Sequence, residues 1–233
     1  MKKLFFFFIV LASIASVNAQ ENQNTNLLKG HSVGVKSGIL FSNRFSTCSL
    51  GEYNQHAPTI GTGYKAGFTY NFTFQNGLTL GADLAYNIKR YHSSIPVASH
   101  PSQDLSFMQF ESIFQHHFLE LPLKIGYITG KKWSYFINGG IAPGIEVFYK
   151  SVSTITFIQS GEISKKTYKH IPDPNVSLDA ILETGVGYTL NNFLIYLSVN
   201  GECNIIPMNN RPYICQDRLY SFGFDIGVKY KIR

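Results

Sequence analysis

A two-residue alternation of apolar and polar side chains, repeated in eight segments, constrains this chain more than any other feature. In the clearest segment Tyr64, Ala66, Phe68, Tyr70 and Phe72 alternate with Gly63, Lys65, Gly67, Thr69 and Asn71. The next segment sets Leu78, Leu80, Ala82, Leu84, Tyr86 and Ile88 against Thr79, Gly81, Asp83, Ala85, Asn87 and Lys89. The first runs through Val33, Val35, Ile39 and Phe41, and the fourth through Leu119, Leu121, Leu123, Ile125 and Tyr127. The fifth begins at Trp133, the sixth at Leu178, the seventh at Phe193 and the eighth at Tyr220. Such a period puts one set of side chains on each face of a strand, so the chain is all-β.

Soluble sandwiches alternate as well, so the connections discriminate. Three are tight: Gln75-Asn76-Gly77, Thr129-Gly130-Lys131-Lys132 and Asn191-Asn192. The others are long, at residues 42–59, 92–116, 151–175 and 202–217. Short and long connections alternate strictly. Transmembrane β-barrels of the outer-membrane type have that arrangement, with short periplasmic turns and long extracellular loops.

Charge placement points the same way. The apolar face is built of large aromatics and leucines. The opposite face carries glycines together with Lys36, Lys65, Asp83, Glu120, Lys124, Asp179, Glu183 and Asp225. Charges of both signs taken out of bulk water must pair, which suits the inside of a narrow barrel whose outside meets lipid. Only 15% of the residues are charged, against about 25% in soluble domains. Tyr64, Tyr70, Tyr86, Tyr127, Trp133, Tyr135, Tyr188, Tyr220 and Tyr230 lie towards strand ends, where interfacial aromatic girdles sit. The expected fold is an eight-stranded antiparallel up-and-down transmembrane β-barrel with a filled polar interior. Residues 151–170 are expected to form an extracellular extension; a ten-stranded barrel, with these residues as one more hairpin in the wall, is the alternative.

The N-terminus is expected to be a targeting segment. Met1-Lys2-Lys3 is followed by the uncharged apolar run Leu4–Val17 and by Val17-Asn18-Ala19. That run is shorter than the ~20 apolar residues of a spanning helix, so residues 1–19 are assigned to a secretory signal peptide. Residues 20–30 follow as a short periplasmic segment and residues 31–233 as the barrel, located in the cell outer membrane. Without Lys2 and Lys3, the 20 basic and 14 acidic residues leave a net charge of +4. This charge is spread rather than gathered in a stripe, which excludes nucleic acid as a partner.

The segment Phe118-Leu119-Glu120-Leu121-Pro122-Leu123-Lys124 resembles the Tyr-Leu-Glu-Ile-Pro-Leu signature of the PorT-like outer-membrane β-barrel family of Bacteroidota. Asn138-Gly139-Gly140, Asp179 and Gly185-Val186-Gly187 agree with it. The resemblance implies an eight-stranded outer-membrane barrel with, for most members, no assigned activity; the family's namesake serves a protein-secretion machine, which makes an accessory role in secretion one expectation. Within it, Glu120 is expected to pair with Lys124, two pleats away on the same face, or with a neighbouring strand.

Residues that can carry chemistry are few. A lipid-modifying hydrolase needs a nucleophile, a base and an orienting acid in contact. His92, Ser93, His100, His116 and His117 are present, but no spacing links them, and they are expected to be solvated loop residues. His116 and His117 are adjacent, so on a strand they face opposite ways and cannot share a metal. No cofactor, metal or catalytic residue is therefore expected. Cys203 and Cys215 flank one long connection and can form a loop disulfide, leaving Cys48 unpaired; three cysteines alone do not fix a connectivity. Phe107, Met108, Phe110, Ile113 and Phe114 form an apolar stripe, either a partner-binding loop surface or an extension of the fourth strand. The expected function is a non-enzymatic scaffold or partner-binding surface protein. Its expected partners are outer-membrane lipid and envelope or secretion proteins. A lipid-modifying enzyme and a small-ligand-binding barrel are the alternatives.

Overall fold

The computed structural model describes residues 29–48, 58–97, 108–157, 162–170, 175–207 and 215–232. The proposed signal peptide, His100 and Phe107 lie outside them. Ten strands are present: β1 (Gly30–Cys48), β2 (Thr59–Thr73), β3 (Leu78–Val97), β4 (Met108–Glu120), β5 (Leu123–Gly130), β6 (Trp133–Phe157), β7 (Ile163–His170), β8 (Asn175–Leu190), β9 (Phe193–Asn204) and β10 (Cys215–Ile232). Every pairing is antiparallel, and β1 closes the sheet by pairing with both β2 and β10.

The ten strands occupy eight wall positions. β4 and β5 both lie between β3 and β6, one above the other. The gap between them is Leu121-Pro122, where the proline has no N–H for the ladder. Backbone bonds bridge the break: the Asp83 N–H donates to the Pro122 carbonyl and the Leu121 N–H to the Pro143 carbonyl. β7 and β8 likewise share one edge of β6. The eight-stranded ring expected from the sequence is therefore present, with two of its walls interrupted.

Side-chain facing follows the sequence alternation. On β2, Tyr64, Phe68 and Tyr70 point outward and are exposed, whereas Lys65, Thr69 and Asn71 are buried. Parity even survives the Pro122 break: Leu119, Leu121, Leu123 and Ile125 all face out, while Phe118, Glu120 and Lys124 are buried. Phe68 is 67% exposed and Phe224 56%, an arrangement that water would penalise and a bilayer rewards. Trp133 packs edge-on against Tyr188 near the short turns, with ring centroids 5.0 Å apart.

The three tight turns each need a positive φ, supplied by Gly77, Gly130 and Asn191; the first two are glycines for the usual steric reason. Both the start of β1 and the end of β10 lie at this turn end, since His31 stands opposite Ile232. At the other end the wall is uneven. β6 has 25 residues, against the nine to eleven or so that a tilted barrel strand needs to cross a bilayer. β3, β4, β6 and β7 continue together as a four-stranded sheet, and β1 and β10 continue opposite it as a two-stranded ribbon. Much of residues 42–59, 92–116, 151–175 and 202–217, expected to be loop, is thus strand. The expected extension at residues 151–170 is the β6–β7 hairpin.

Candidate functional site

All eight charged residues expected on the inner face lie inside the barrel. Lys36 Nζ is 2.6 Å from Asp83 Oδ2, which also meets Lys124 Nζ at 2.7 Å. Lys124 reaches Glu183 Oε2 at 3.0 Å. Towards the loop end, Lys65 meets Glu202 at 2.6 Å and Asp225 at 3.8 Å. Lys89 is surrounded by Glu120, Asp179 and Glu202 at 2.9, 2.5 and 3.1 Å. Amides and hydroxyls take up further lone pairs: Asn87 donates to Glu120, Asn204 to Asp179, Ser198 to Glu183 and Ser221 to Glu202. Desolvated charges are tolerable only when paired and hydrogen-bonded to this degree.

Glu120 pairs across to Lys89 of β3 and not with Lys124. Four residues along a strand separate their Cα atoms by about 13 Å, too far for direct contact, whereas β3 is the next strand in the ladder. The set also includes Lys89 and Lys229, which the alternation places on the polar face, and Glu202, which it does not reach. Glu202 lies two residues from inward-facing Asn200. Extending the parity of that strand by one more pleat identifies it. Glu120, Asp179 and Glu202 come close enough to hold a cation. The cation they hold is the Lys89 ammonium.

Two apolar clusters enclose this ionic middle. At the turn end Ile128, Phe136, Leu194 and Tyr196 pack together, with Lys229 Nζ 4.7 Å from the Tyr196 ring centroid. Tyr196 fits because β10 presents Gly227 to it; a Cβ there would lie 2.3 Å from the Tyr196 ring. The cleft outside this cluster holds about 30 Å³, room for one or two waters. At the loop end Tyr91, Phe118 and Leu219 close the lumen, with Phe114 packed against them. Arg44 lies 5.1 Å over the Tyr91 ring.

His116 is buried at this upper closure rather than solvated in a loop. β4 begins at Met108 and carries His116 to the inner face. Its Nδ1 lies 2.7 Å from Glu146 Oε1, and Asn175 donates to the other Glu146 oxygen at 3.1 Å. The imidazole stacks on Tyr91 and Phe118. Its Nε2 is buried with no hydrogen-bond partner among the described residues. An orienting acid and a base are thus together, and no serine or threonine hydroxyl is hydrogen-bonded to either among the described residues. His117 faces the opposite way and bonds the Tyr86 hydroxyl at 2.6 Å. His92 is exposed on β3, while its neighbour Ser93 is buried.

Two further expectations are decided. Cys203 is a free, exposed thiol, and it stands opposite Tyr220, five residues along β10 from Cys215. The residue opposite Cys215 is Cys48 of β1. The expected Cys203–Cys215 loop disulfide is therefore not made. The apolar stripe takes the second of its two expected forms, an extension of the fourth strand: Met108, Phe110, Ile113 and Phe114 belong to β4. Phe114 stacks on Tyr91 with centroids 4.9 Å apart, and Ile113 lies one residue on, towards the other face.

A family model described as outer membrane protein β-barrel domain matches residues 18–203. No curated protein matches the chain. Among solved structures, Ail, the attachment invasion locus protein of Yersinia pestis, is 12% identical with a TM-score of 0.38, over 87% of this chain and 99% of that one. OprG from Pseudomonas aeruginosa is 10% identical with a TM-score of 0.42, over 88% and 98%. The outer membrane protease OmpT from Escherichia coli is 9% identical with a TM-score of 0.36, over 90% and 99%.

Proposed function

The chain belongs to the outer membrane protein β-barrel domain family, and from that premise we propose that it is a non-enzymatic barrel with a closed lumen that binds a partner at the cell surface. One observation carries this proposal. The lumen is filled from end to end, while the wall strands continue well past the apolar band at the loop end, β6 with 25 residues. Surface-exposed strand is what a partner can reach; a filled lumen offers no path for solute. By the usual orientation of such barrels the loop end faces outward.

The Phe118–Lys124 segment, similar to PorT-like proteins, supports an envelope or secretion component as that partner. Export through an N-terminal signal peptide belongs to the same proposal. The test is site-specific photocrosslinking of the full-length protein in living cells. A crosslinker at Tyr168 on β7 is expected to give a discrete adduct, and one at Tyr230 at the turn end none. Adducts confined to Tyr230 would sink the assignment. So would a changed envelope lipid profile in a His116→Ala strain, which would favour an enzyme.

A further inference from the structure

Cross-strand register lines up Arg90 of β3, Gln115 of β4, Lys150 of β6 and Lys169 of β7 as successive neighbours in one row. The row lies on the outer face, since the adjacent positions His116 and Tyr149 share the inner one with Tyr91. Two residues below it on the same face come Ile88, His117 and Phe148, the upper edge of the apolar band. Two residues along a strand span about 7 Å. The headgroup layer on each side of a bilayer is about 5–8 Å thick. The row therefore sits at the level of the outer-leaflet headgroups.

No salt bridge among the described residues engages Arg90, Lys150 or Lys169. Lys150 and Lys169 stand directly opposite each other, an arrangement that costs stability unless an anion lies between them. Gln115, with its amide oxygen turned to Arg90, accepts from Nε and Nη2 at 2.7 and 2.8 Å. That contact holds the planar guanidinium in place at one end of the row, two and three strands from the lysines. A row that joins a fixed guanidinium to two ammonium groups suits phosphate. Lysines on an exposed edge strand also deter edge-to-edge association, but that role asks nothing of Arg90, three strands away.

We propose that this row binds the phosphate group of an outer-leaflet membrane lipid and so fixes the height and tilt of the barrel in the bilayer. The proposal rests on the loop end facing outward, and not on the partner-binding role. It is tested with the full-length protein in nanodiscs of phosphatidylcholine containing a minor fraction of phosphatidic acid. The lipid retained after transfer to detergent is counted by mass spectrometry. Wild type is expected to retain phosphatidic acid over phosphatidylcholine. The variant R90Q/K150Q/K169Q is expected to lose that preference by fivefold or more, since each cation near an anionic surface contributes about fivefold. K131Q/K132Q, altered at the turn end, should behave as wild type. Heat-modifiable migration in gels checks that each variant is folded. Equal retention by wild type and the triple variant would overturn the proposal, as would an equal loss in K131Q/K132Q. Displacement of the lipid by inorganic phosphate, but not by chloride at the same ionic strength, would also overturn it, by marking a free-anion site. Partner crosslinking through Tyr168 is read separately and can succeed or fail independently.

Discussion

Lys89 holds Glu120, Asp179 and Glu202 around one ammonium group, so it is the residue on which the upper half of the lumen depends. Replacing it with methionine preserves much of the volume and leaves Glu120 and Asp179 without their cation and Glu202 with Lys65 alone. Breaking a buried pair from one side costs about 3–5 kcal/mol. Lys89→Met is expected to lower stability by that order in urea unfolding from detergent, followed through Trp133, the one tryptophan. Adding Glu120→Gln should restore part of the loss. An unchanged midpoint for Lys89→Met would mean that the carboxylates are paired by other groups. The outer face gives a complementary prediction. Phe68 is 67% exposed, and in a soluble protein its replacement by arginine would change stability by about 0.5 kcal/mol or less. On a lipid-facing strand the same change costs about 2–4 kcal/mol near the midplane. Phe68→Arg is therefore expected to fold poorly into vesicles while remaining soluble when unfolded. A neutral effect would argue that this face meets water.

At the level of elements, the β1–β10 ribbon outruns β9 and β2, and its last pair is Cys48 opposite Cys215. Directly opposed residues in an antiparallel pair have Cα atoms about 4.5 or 5.5 Å apart, within the range a disulfide spans. Peptide mapping of the unreduced chain is expected to find Cys48 joined to Cys215, with Cys203 alone open to alkylation. A Cys203–Cys215 linkage would instead require β9 to shift along β10. Which parts of these elements were legible in the sequence follows from the solvent on each side. Inside the apolar band, lipid outside and a polar lumen inside write opposite demands on alternate residues, so Tyr64 to Phe72 announce both strand and facing. Above the band both faces meet polar surroundings, the alternation fades, and β4 from Met108 and β6 up to Phe157 are legible only as alternatives, loop or added strand. Glu202 escaped because it lies at the fading edge of its strand, one pleat beyond the last clear alternation. Glu146 escaped with it: a register shift between β4 and β6, at His117/Phe118, interrupts the pattern beside it. The Cys48–Cys215 register was illegible for another reason, because pairing between the first and last strands is set only by closure of the ring.

Closure of the ring also decides what the whole molecule can transmit. An eight-stranded barrel has an interior about filled by side chains, and here the filling is layered. An ion entering from the turn end meets Phe136 and Tyr196, then the lysine–carboxylate ladder from Lys36 to Lys89, then Tyr91, Phe118 and Leu219. The apolar layers exclude water, and the ladder has its charges committed to one another. Neither kind of layer alone can conduct. Full-length protein in planar bilayers is thus expected to be electrically silent. Trimming the lower closure with Phe136→Ala and Tyr196→Ala should leave it silent, because the ion-paired layer and the upper closure remain. Steady single-channel steps from wild type would show that the layers part in the membrane and would revive a solute-binding or conducting role. Silence in both proteins would leave the strands beyond the bilayer as the surface, among the described residues, through which this barrel can act on its surroundings.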